Sequence, residues 1–238
     1  MWFSFVLLGI GAVLVTLFLI DKIHKYSVRE TIIKSFASLV FISLAVYHNY
    51  LQGFPPFGSL VIFALVLGLL GDIWLDLKYV FPKEDKAFTY AGFICFGLGH
   101  IAFMSGMFIQ FYVPGNVLYI ILPYVFGLVM GVVTMLIEKP MKLVYGKMKL
   151  IVFLYGILLF SMLGVSFSLY VQSGFKSVTL LFMTFGAALF AISDLVLSGT
   201  YFGEGKERAI DISINGILYY IAQFSIAFSV YFIGQNLF

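Results

Sequence analysis

Two aspartates inside long apolar stretches are the residues of this sequence whose type and position could do chemistry. Asp72 lies near the end of the apolar run 57–77, and Asp194 lies near the end of the run 177–198. A charge in the hydrocarbon region of a membrane costs about 2.5–3.5 kcal/mol even on a lenient insertion scale, so such acids are functional hypotheses by default. Two facing carboxyl groups in a dry cavity tend to have one protonated and one ionised member. General acid–base hydrolysis requires that arrangement.

A third acid, Asp76, follows Asp72 by one helical turn on the same face and stands near Lys78. We expect Asp76 either to form an ion pair at the membrane boundary or to modify the Asp72 site. Glu30 and Asp211 stand beside loop charges in the first turns of helices, where acids favour the helix terminus. The two acids inside the bundle are therefore the stronger candidates for catalysis.

The histidines and the single cysteine do not form a recognisable metal site. His100 lies inside an apolar run, whereas His24 falls in a loop and His48 lies at the outer end of its run. A zinc hydrolase would gather several histidines and an acid at one depth, so we expect no metal and no other cofactor. His100 stays open between a site role and an internal hydrogen bond. Cys95 has no partner for an internal disulfide.

The elements that must hold these residues are membrane helices, because the composition indicates an integral membrane protein. Hydrophobic residues make up 62% of the chain and charged residues 11%, which lies outside the range of soluble domains. The apolar runs are continuous and about twice as long as the alternating segments of a transmembrane barrel. Because the basic residues fall between these runs, the net charge of +3 gives no argument for a nucleic-acid partner.

With about 20 residues per spanning helix, 238 residues have room for roughly eight helices and no separate soluble domain. We predict an all-α, polytopic bundle that forms one domain over 1–238. The predicted spans are 2–20, 31–51, 57–77, 87–110, 117–137, 150–171, 177–198 and about 210 to nearly the C-terminus. No positive charge precedes the first run, so we expect a retained helix rather than a cleaved signal peptide.

The basic residues predict the orientation of the bundle. Thirteen of the 14 Lys and Arg residues fall in or beside the odd-numbered connections, with Lys34 counted as a flank of the first. By the positive-inside rule these connections are cytoplasmic, and both termini lie on the outer face. Asp72 is then about six residues, roughly 9 Å, from the cytoplasmic end of its helix, and Asp194 lies at a similar level. We expect a site on the cytoplasmic side of a bacterial plasma membrane.

The two halves of the chain, 1–112 and 113–238, echo each other weakly. Asp72 is followed by Leu75 as Asp194 is followed by Leu197, and each pair precedes a charged loop. This pattern suggests two four-helix pseudo-repeats whose axis runs along the membrane normal. Such an arrangement would bring the two aspartates together.

From the third to the eighth helix the sequence resembles the YhhN/TMEM86 family of lysoplasmalogenases. The residues that carry the resemblance are Gly71, Asp72, Leu75, Phe96 through His100, Gly186, Ala187, Leu189, Phe190, Ser193, Asp194, Leu197, Tyr219, Tyr220, Ala222 and Gln223. The Ser-Asp and Tyr-Tyr-x-Ala-Gln elements are the most specific of these.

The resemblance implies hydrolysis of the vinyl ether bond of a lysoplasmalogen, a lysophospholipid, to a fatty aldehyde and glycerophosphoethanolamine or glycerophosphocholine. Asp72 and Asp194 would share the acid and base roles in an order that the sequence leaves open. The set expected to position water or substrate comprises His100, Tyr219, Tyr220, Gln223, Ser193 and Asp76. The set expected near the head group comprises Lys78, Lys83 and Arg208.

Two alternatives from other classes stay open at this point. A proton-coupled transporter also uses intramembrane acids and repeated halves, and it predicts helices broken at matching positions. Pro123 in the fifth helix has no counterpart in the first. A non-enzymatic lipid-binding protein would bind membrane lipids and leave them unchanged. Head-group preference, physiological substrate and oligomeric state are also open.

Overall fold

The computed structural model describes residues 2–24, 28–203 and 208–235, and this part of the chain forms eight long helices and no strand. The helices are α1 (Trp2–His24), α2 (Val28–Leu51), α3 (Pro56–Val80), α4 (Asp85–Phe111), α5 (Leu118–Leu136), α6 (Lys149–Gln172), α7 (Val178–Phe202) and α8 (Ala209–Ser229). Three short 3-10 turns lie at Pro82–Glu84, Gly146–Met148 and Val230–Phe232.

All eight helices are long and apolar enough to cross a membrane, as the sequence predicts. The apolar runs form helices because a lipid-embedded backbone must satisfy its own hydrogen bonds. Several helices continue past the apolar runs, α3 to Val80 and α7 to Phe202. The prediction that His24 lies in a loop is wrong, since α1 continues through it. Residues 204–207, part of the predicted seventh connection, lie outside the described residues.

Seven helices form a closed ring around the interior, in the order α1, α2, α3, α4, α6, α7, α8 and back to α1. α5 packs on the outside of this ring, mainly against α6. α8 also contacts α2 and α3 across the interior. The closest approaches use glycine, as expected where apolar packing alone drives helix association. For example, Gly99 of α4 lies so close to α3 that a Cβ would be 3.3 Å from the Ala64 carbonyl oxygen.

The helix pairs of the first half have counterparts in the second. α1 packs on α2, α2 on α3 and α3 on α4, as α5 packs on α6, α6 on α7 and α7 on α8. The contact between α4 and α6 corresponds in the same way to the contact between α8 and α2. The pseudo-repeats at 1–112 and 113–238 and the orientation of the termini stay predictions.

Candidate active site

A cavity lies inside the ring and has both Asp72 and Asp194 in its wall. Most of its wall is apolar or aromatic. Polar side chains are contributed by Lys22, Lys34, Asp72, Thr134, Tyr145, Tyr155, Asp194, Ser198, Tyr201, Asn215 and Tyr219. Several lining residues come from the ends of α1 and α7 and from the α5–α6 connection. The cavity therefore lies toward the face of the bundle that carries the odd-numbered connections.

Asp72 is held from two sides by neighbouring helices. It is 4% exposed, and its Oδ1 lies 3.1 Å from the Nζ of Lys34 on α2. Its Oδ2 accepts a hydrogen bond of 2.7 Å from the Tyr219 hydroxyl on α8. Both partners also line the cavity. The carboxylate thus has a cation on one oxygen and a hydroxyl donor on the other, which stabilises its negative charge.

Asp76 faces the same ammonium but lies outside the cavity wall. Both of its oxygens are 3.1 Å from the Lys34 Nζ, and Oδ1 is 3.8 Å from the Lys22 Nζ. Asp76 does form an ion pair, but it does so with α1 and α2 rather than with Lys78. The reason is helical spacing: residues two positions apart point in different directions, whereas Asp72 and Asp76, four apart, share a face.

The ion pairs continue to the start of α2. Lys22 at the end of α1 lies 3.4 Å from the Oε1 of Glu30, and Glu30 is only 1% exposed. The expectation of a simple helix-end acid is therefore incomplete, because this carboxylate is buried and paired. Together with Lys34, Asp72 and Asp76 these residues form a continuous group, called here the charged cluster, with three acids and two lysines across α1, α2 and α3.

Asp194 has a different environment on the opposite wall. The Tyr155 hydroxyl of α6 donates a hydrogen bond to its Oδ2. Within the described part of the chain, no lysine or arginine lies within ion-pair distance of this carboxyl group. His100 lies behind Tyr155, with 3.3 Å between its Nε2 and the tyrosine hydroxyl. His100 is buried and lies outside the cavity wall, of which Tyr155 is a part.

The other residues predicted to position substrate lie behind the cavity wall. Ser193 is fully buried, and its Oγ accepts a hydrogen bond of 2.9 Å from the Nδ2 of Asn215, which does line the cavity. Gln223 is also buried, and no hydrogen-bond partner for its Oε1 lies among the described residues. Tyr220 is buried outside the cavity wall, with its hydroxyl 3.4 Å from the Lys34 carbonyl oxygen. Of the predicted set, Tyr219 alone reaches an aspartate directly.

The three residues expected near the head group lie outside the cavity wall as well. The Lys78 Nζ lies 3.2 Å from the centre of the Tyr201 ring, a cation–π contact with a residue of the wall. Lys83 is exposed in the turn before α4. Arg208 pairs with Asp211 at 2.8 Å, as expected for a helix-end acid. The described basic residues of the wall are instead Lys22 and Lys34.

The connection between α5 and α6 folds over one side of the cavity. The Val144 amide donates to the Phe202 carbonyl oxygen at 2.8 Å, and Tyr145 is 3% exposed. Glu138 secures this segment, since it accepts from the Lys149 ammonium at 2.6 Å and from the Tyr145 amide at 3.2 Å. These hydrogen bonds, chiefly that from Lys149, lower the pKa of Glu138.

Sequence reasoning missed Lys34, Tyr155 and Asn215. Lys34 was counted as a loop flank, yet the sequence contains a signal. Glu30 and Lys34 are four residues apart at the start of one apolar run, and Asp72 and Asp76 have the same spacing at the end of the next run. Two such pairs on adjacent helices can face each other. Tyr155 and Asn215 carry no comparable signal, because a single tyrosine or amide in an apolar run is ordinary packing material.

Comparison with known families identified one match, to a model described as the YhhN family, over residues 30–230. That range contains both aspartates, Lys34, Tyr155 and Tyr219, whereas α1 with Lys22 precedes it. The comparisons with curated proteins and with solved structures gave no match.

Proposed function

The chain belongs to the YhhN family, and from that premise we propose that it is a membrane-embedded hydrolase of the lysoplasmalogenase type. Its reaction cleaves the vinyl ether bond of a lysoplasmalogen and gives a fatty aldehyde and glycerophosphoethanolamine or glycerophosphocholine. The observation that carries the proposal is the pair of carboxyl groups, Asp72 and Asp194, in the wall of one largely apolar cavity.

A vinyl ether is hydrolysed by acid chemistry, which two carboxyl groups can supply. In the first step a protonated carboxyl group gives its proton to the β-carbon, and the π electrons form the new C–H bond. The resulting oxocarbenium ion is stabilised by the second, ionised carboxylate. Water then attacks the cationic carbon, and its released proton goes to that second carboxylate, which leaves a neutral hemiacetal.

The hemiacetal collapses in a step that restores both carboxyl groups. The second carboxyl group returns its proton to the glycerol oxygen as the C–O bond breaks. The hemiacetal hydroxyl gives its proton to the first carboxylate as the aldehyde forms. The net reaction consumes one water, and each carboxyl group ends in its starting state.

The shape of the cavity suits such a substrate. Its aromatic and aliphatic wall, which includes Phe93, Phe96 and Phe160, would hold the alkenyl chain away from water. We place the phosphate head group at the mouth, where Lys78 lies against Tyr201. By the predicted orientation this mouth faces the cytoplasm, and we propose the bacterial plasma membrane as the location.

A mixed lipid extract incubated with the purified protein and analysed by mass spectrometry tests the proposal. Loss of lysoplasmalogens with matching gain of fatty aldehyde is expected. Lipids that co-purify unchanged would instead indicate a binding protein, and accumulation in proteoliposomes without cleavage would indicate a transporter. The eight described helices are continuous, so they lack the matching breaks that a carrier of this type uses.

A further inference from the structure

We propose that Lys34 is a positioning residue that keeps Asp72 as the anion of the carboxyl pair, so that the transferable proton resides on Asp194. This inference rests on the proposed function and assigns the two roles that the sequence leaves open. The juxtaposition of Lys34, Asp72 and Tyr219 in one wall of the cavity carries it.

Lys34 is placed where its charge acts on Asp72 rather than on solvent. Its side chain is 9% exposed, and its ammonium lies over the Phe18 ring, 5.8 Å from the ring centre. A buried charge requires pairing, and the ammonium meets this requirement with Asp72 and Asp76, both at 3.1 Å. Removing one partner of such a pair leaves an uncompensated charge in a low-dielectric interior.

The hydrogen bonds on Asp72 also favour its ionised form. Oδ1 faces the ammonium, and Oδ2 accepts from the Tyr219 hydroxyl. A carboxylate has about four lone-pair sites, so each oxygen keeps one lone pair for water or for the developing cation. Asp72 can therefore hold its charge and still face the cavity.

The ionisable groups around Asp72 come from each helix that packs against it. α2 contributes Lys34, α3 contributes Asp76, and α8 contributes the hydroxyls of Tyr219 and Tyr220. Lys22 and Glu30 lie behind Asp76. α4 contributes Phe96, which carries no charge. Lys34 is thus the cation in direct contact with Asp72 within the described residues.

Asp194 has the complementary environment for a proton donor. Its partner is the neutral hydroxyl of Tyr155, and a cation at ion-pair distance is lacking within residues 2–24, 28–203 and 208–235. A second anion in the same apolar cavity as the Asp72 carboxylate would be unfavourable. Pairs of titratable groups whose environments differ in this way mark the acid and the base.

The test compares Lys34→Met and Lys34→Arg with a matched control, Glu30→Gln. All three alter the charged cluster, but Glu30 lies outside the cavity wall and contacts Lys22 instead of Asp72. We expect Lys34→Met to lower kcat for aldehyde release at least about a hundredfold, the lower end of a general acid–base contribution, with KM within twofold. Lys34→Arg should recover most of kcat. Glu30→Gln should lower the unfolding temperature and leave kcat within twofold.

A Lys34→Met protein with kcat near wild type would overturn the assignment, as would equal kinetic losses in Lys34→Met and Glu30→Gln. Infrared spectroscopy of the carboxyl stretch tests the same assignment without activity. The protonated-carboxyl band of the wild type should vanish in Asp194→Asn and persist in Asp72→Asn, and Lys34→Met should add a second band. If wild type releases no aldehyde, the proposed function fails, and the infrared result still decides whether Lys34 sets the charge of Asp72.

Discussion

Replacement of Tyr219 by phenylalanine removes one oxygen atom from the wall of the cavity and little else. The lost group is the hydroxyl that donates to the Asp72 Oδ2 at 2.7 Å. The ring of Tyr219 keeps its contacts with Phe190 and Phe96, at 5.5 and 6.5 Å between ring centres. The substitution therefore removes one hydrogen bond from the carboxylate, together with the contact of the same hydroxyl with Gln223.

The expected loss of kcat follows from the type of hydrogen bond that is removed. A hydrogen bond to a charged group contributes about 1.5–3 kcal/mol. If Asp72 stabilises the oxocarbenium ion, loss of the hydrogen bond that orients this carboxylate raises the free energy of the transition state. At about 1.4 kcal/mol per factor of ten, the Tyr219→Phe enzyme should lose roughly 10- to 150-fold in kcat. KM should change little, because the hydroxyl is already occupied by Asp72.

The assay is aldehyde release by the purified variant, with thermal unfolding measured in the same detergent. Tyr220→Phe gives the comparison, since that hydroxyl contacts the Lys34 carbonyl oxygen at 3.4 Å and Ser38, and it lies outside the cavity wall. A smaller loss, below about threefold, is expected there. Equal losses in the two variants, or a Tyr219→Phe enzyme within twofold of wild type, would refute the role given to this hydrogen bond.

Three further perturbations test other parts of the structure. Gly71→Ala would place a Cβ 2.7 Å from the Phe96 ring, and such overpacking should destabilise the fold by about 1–3 kcal/mol, measured as a lower unfolding temperature. Tyr155→Phe should reduce kcat with little change in stability, because it removes the hydroxyl between Asp194 and His100. The pKa of Glu138 is lower in the folded protein than in the unfolded chain. Glu138 therefore stabilises the α5–α6 connection at pH values above its pKa in the unfolded chain, and this stabilisation is lost as the pH falls through its pKa in the folded protein.

These predictions have distinct controls. A Cβ added at Gly9 would have no atom within 4 Å apart from its chain neighbours and its own helix backbone, so Gly9→Ala should leave the unfolding temperature nearly unchanged. An equal drop in the unfolding temperature of both alanine variants would contradict the overpacking expected at Gly71. For the α5–α6 connection, proteolysis at decreasing pH should accelerate in wild type and lose this pH dependence in Glu138→Gln. A Tyr155→Phe enzyme with wild-type kcat would show that the Tyr155 hydroxyl does not support catalysis.

The eight spans could be predicted from the sequence because a membrane helix requires a long continuous run of apolar residues. The run 57–77 predicts α3, and the structure extends it at both ends to Pro56–Val80. Such extensions escape a hydropathy argument, since Lys78 lowers the apolar signal while the backbone continues its hydrogen bonds. The position of α5 outside the ring could not be predicted either, because packing partners depend on shape and not on apolar length.

The site was predictable to the extent that a charge inside an apolar run is unusual. Asp72 and Asp194 were identified in this way, and both lie in the cavity wall. Lys34 was missed because basic residues near helix ends were assigned to orientation. Asp76 forms an ion pair, as one of its two predicted roles requires, but its partners on α1 and α2 are distant in sequence and could not be predicted from it. The sequence left the role of His100 open, and only the packing shows that it contacts Tyr155 and lies outside the cavity wall.

The most direct test of the central claim is aldehyde release from a lysoplasmalogen by purified wild type, Asp72→Asn and Asp194→Asn, each shown to be folded. The two-carboxylate account predicts aldehyde and glycerophospho-alcohol in equal amounts from wild type. It also predicts a loss of at least about a hundredfold in each asparagine variant. Activity close to wild type in either variant would contradict the account.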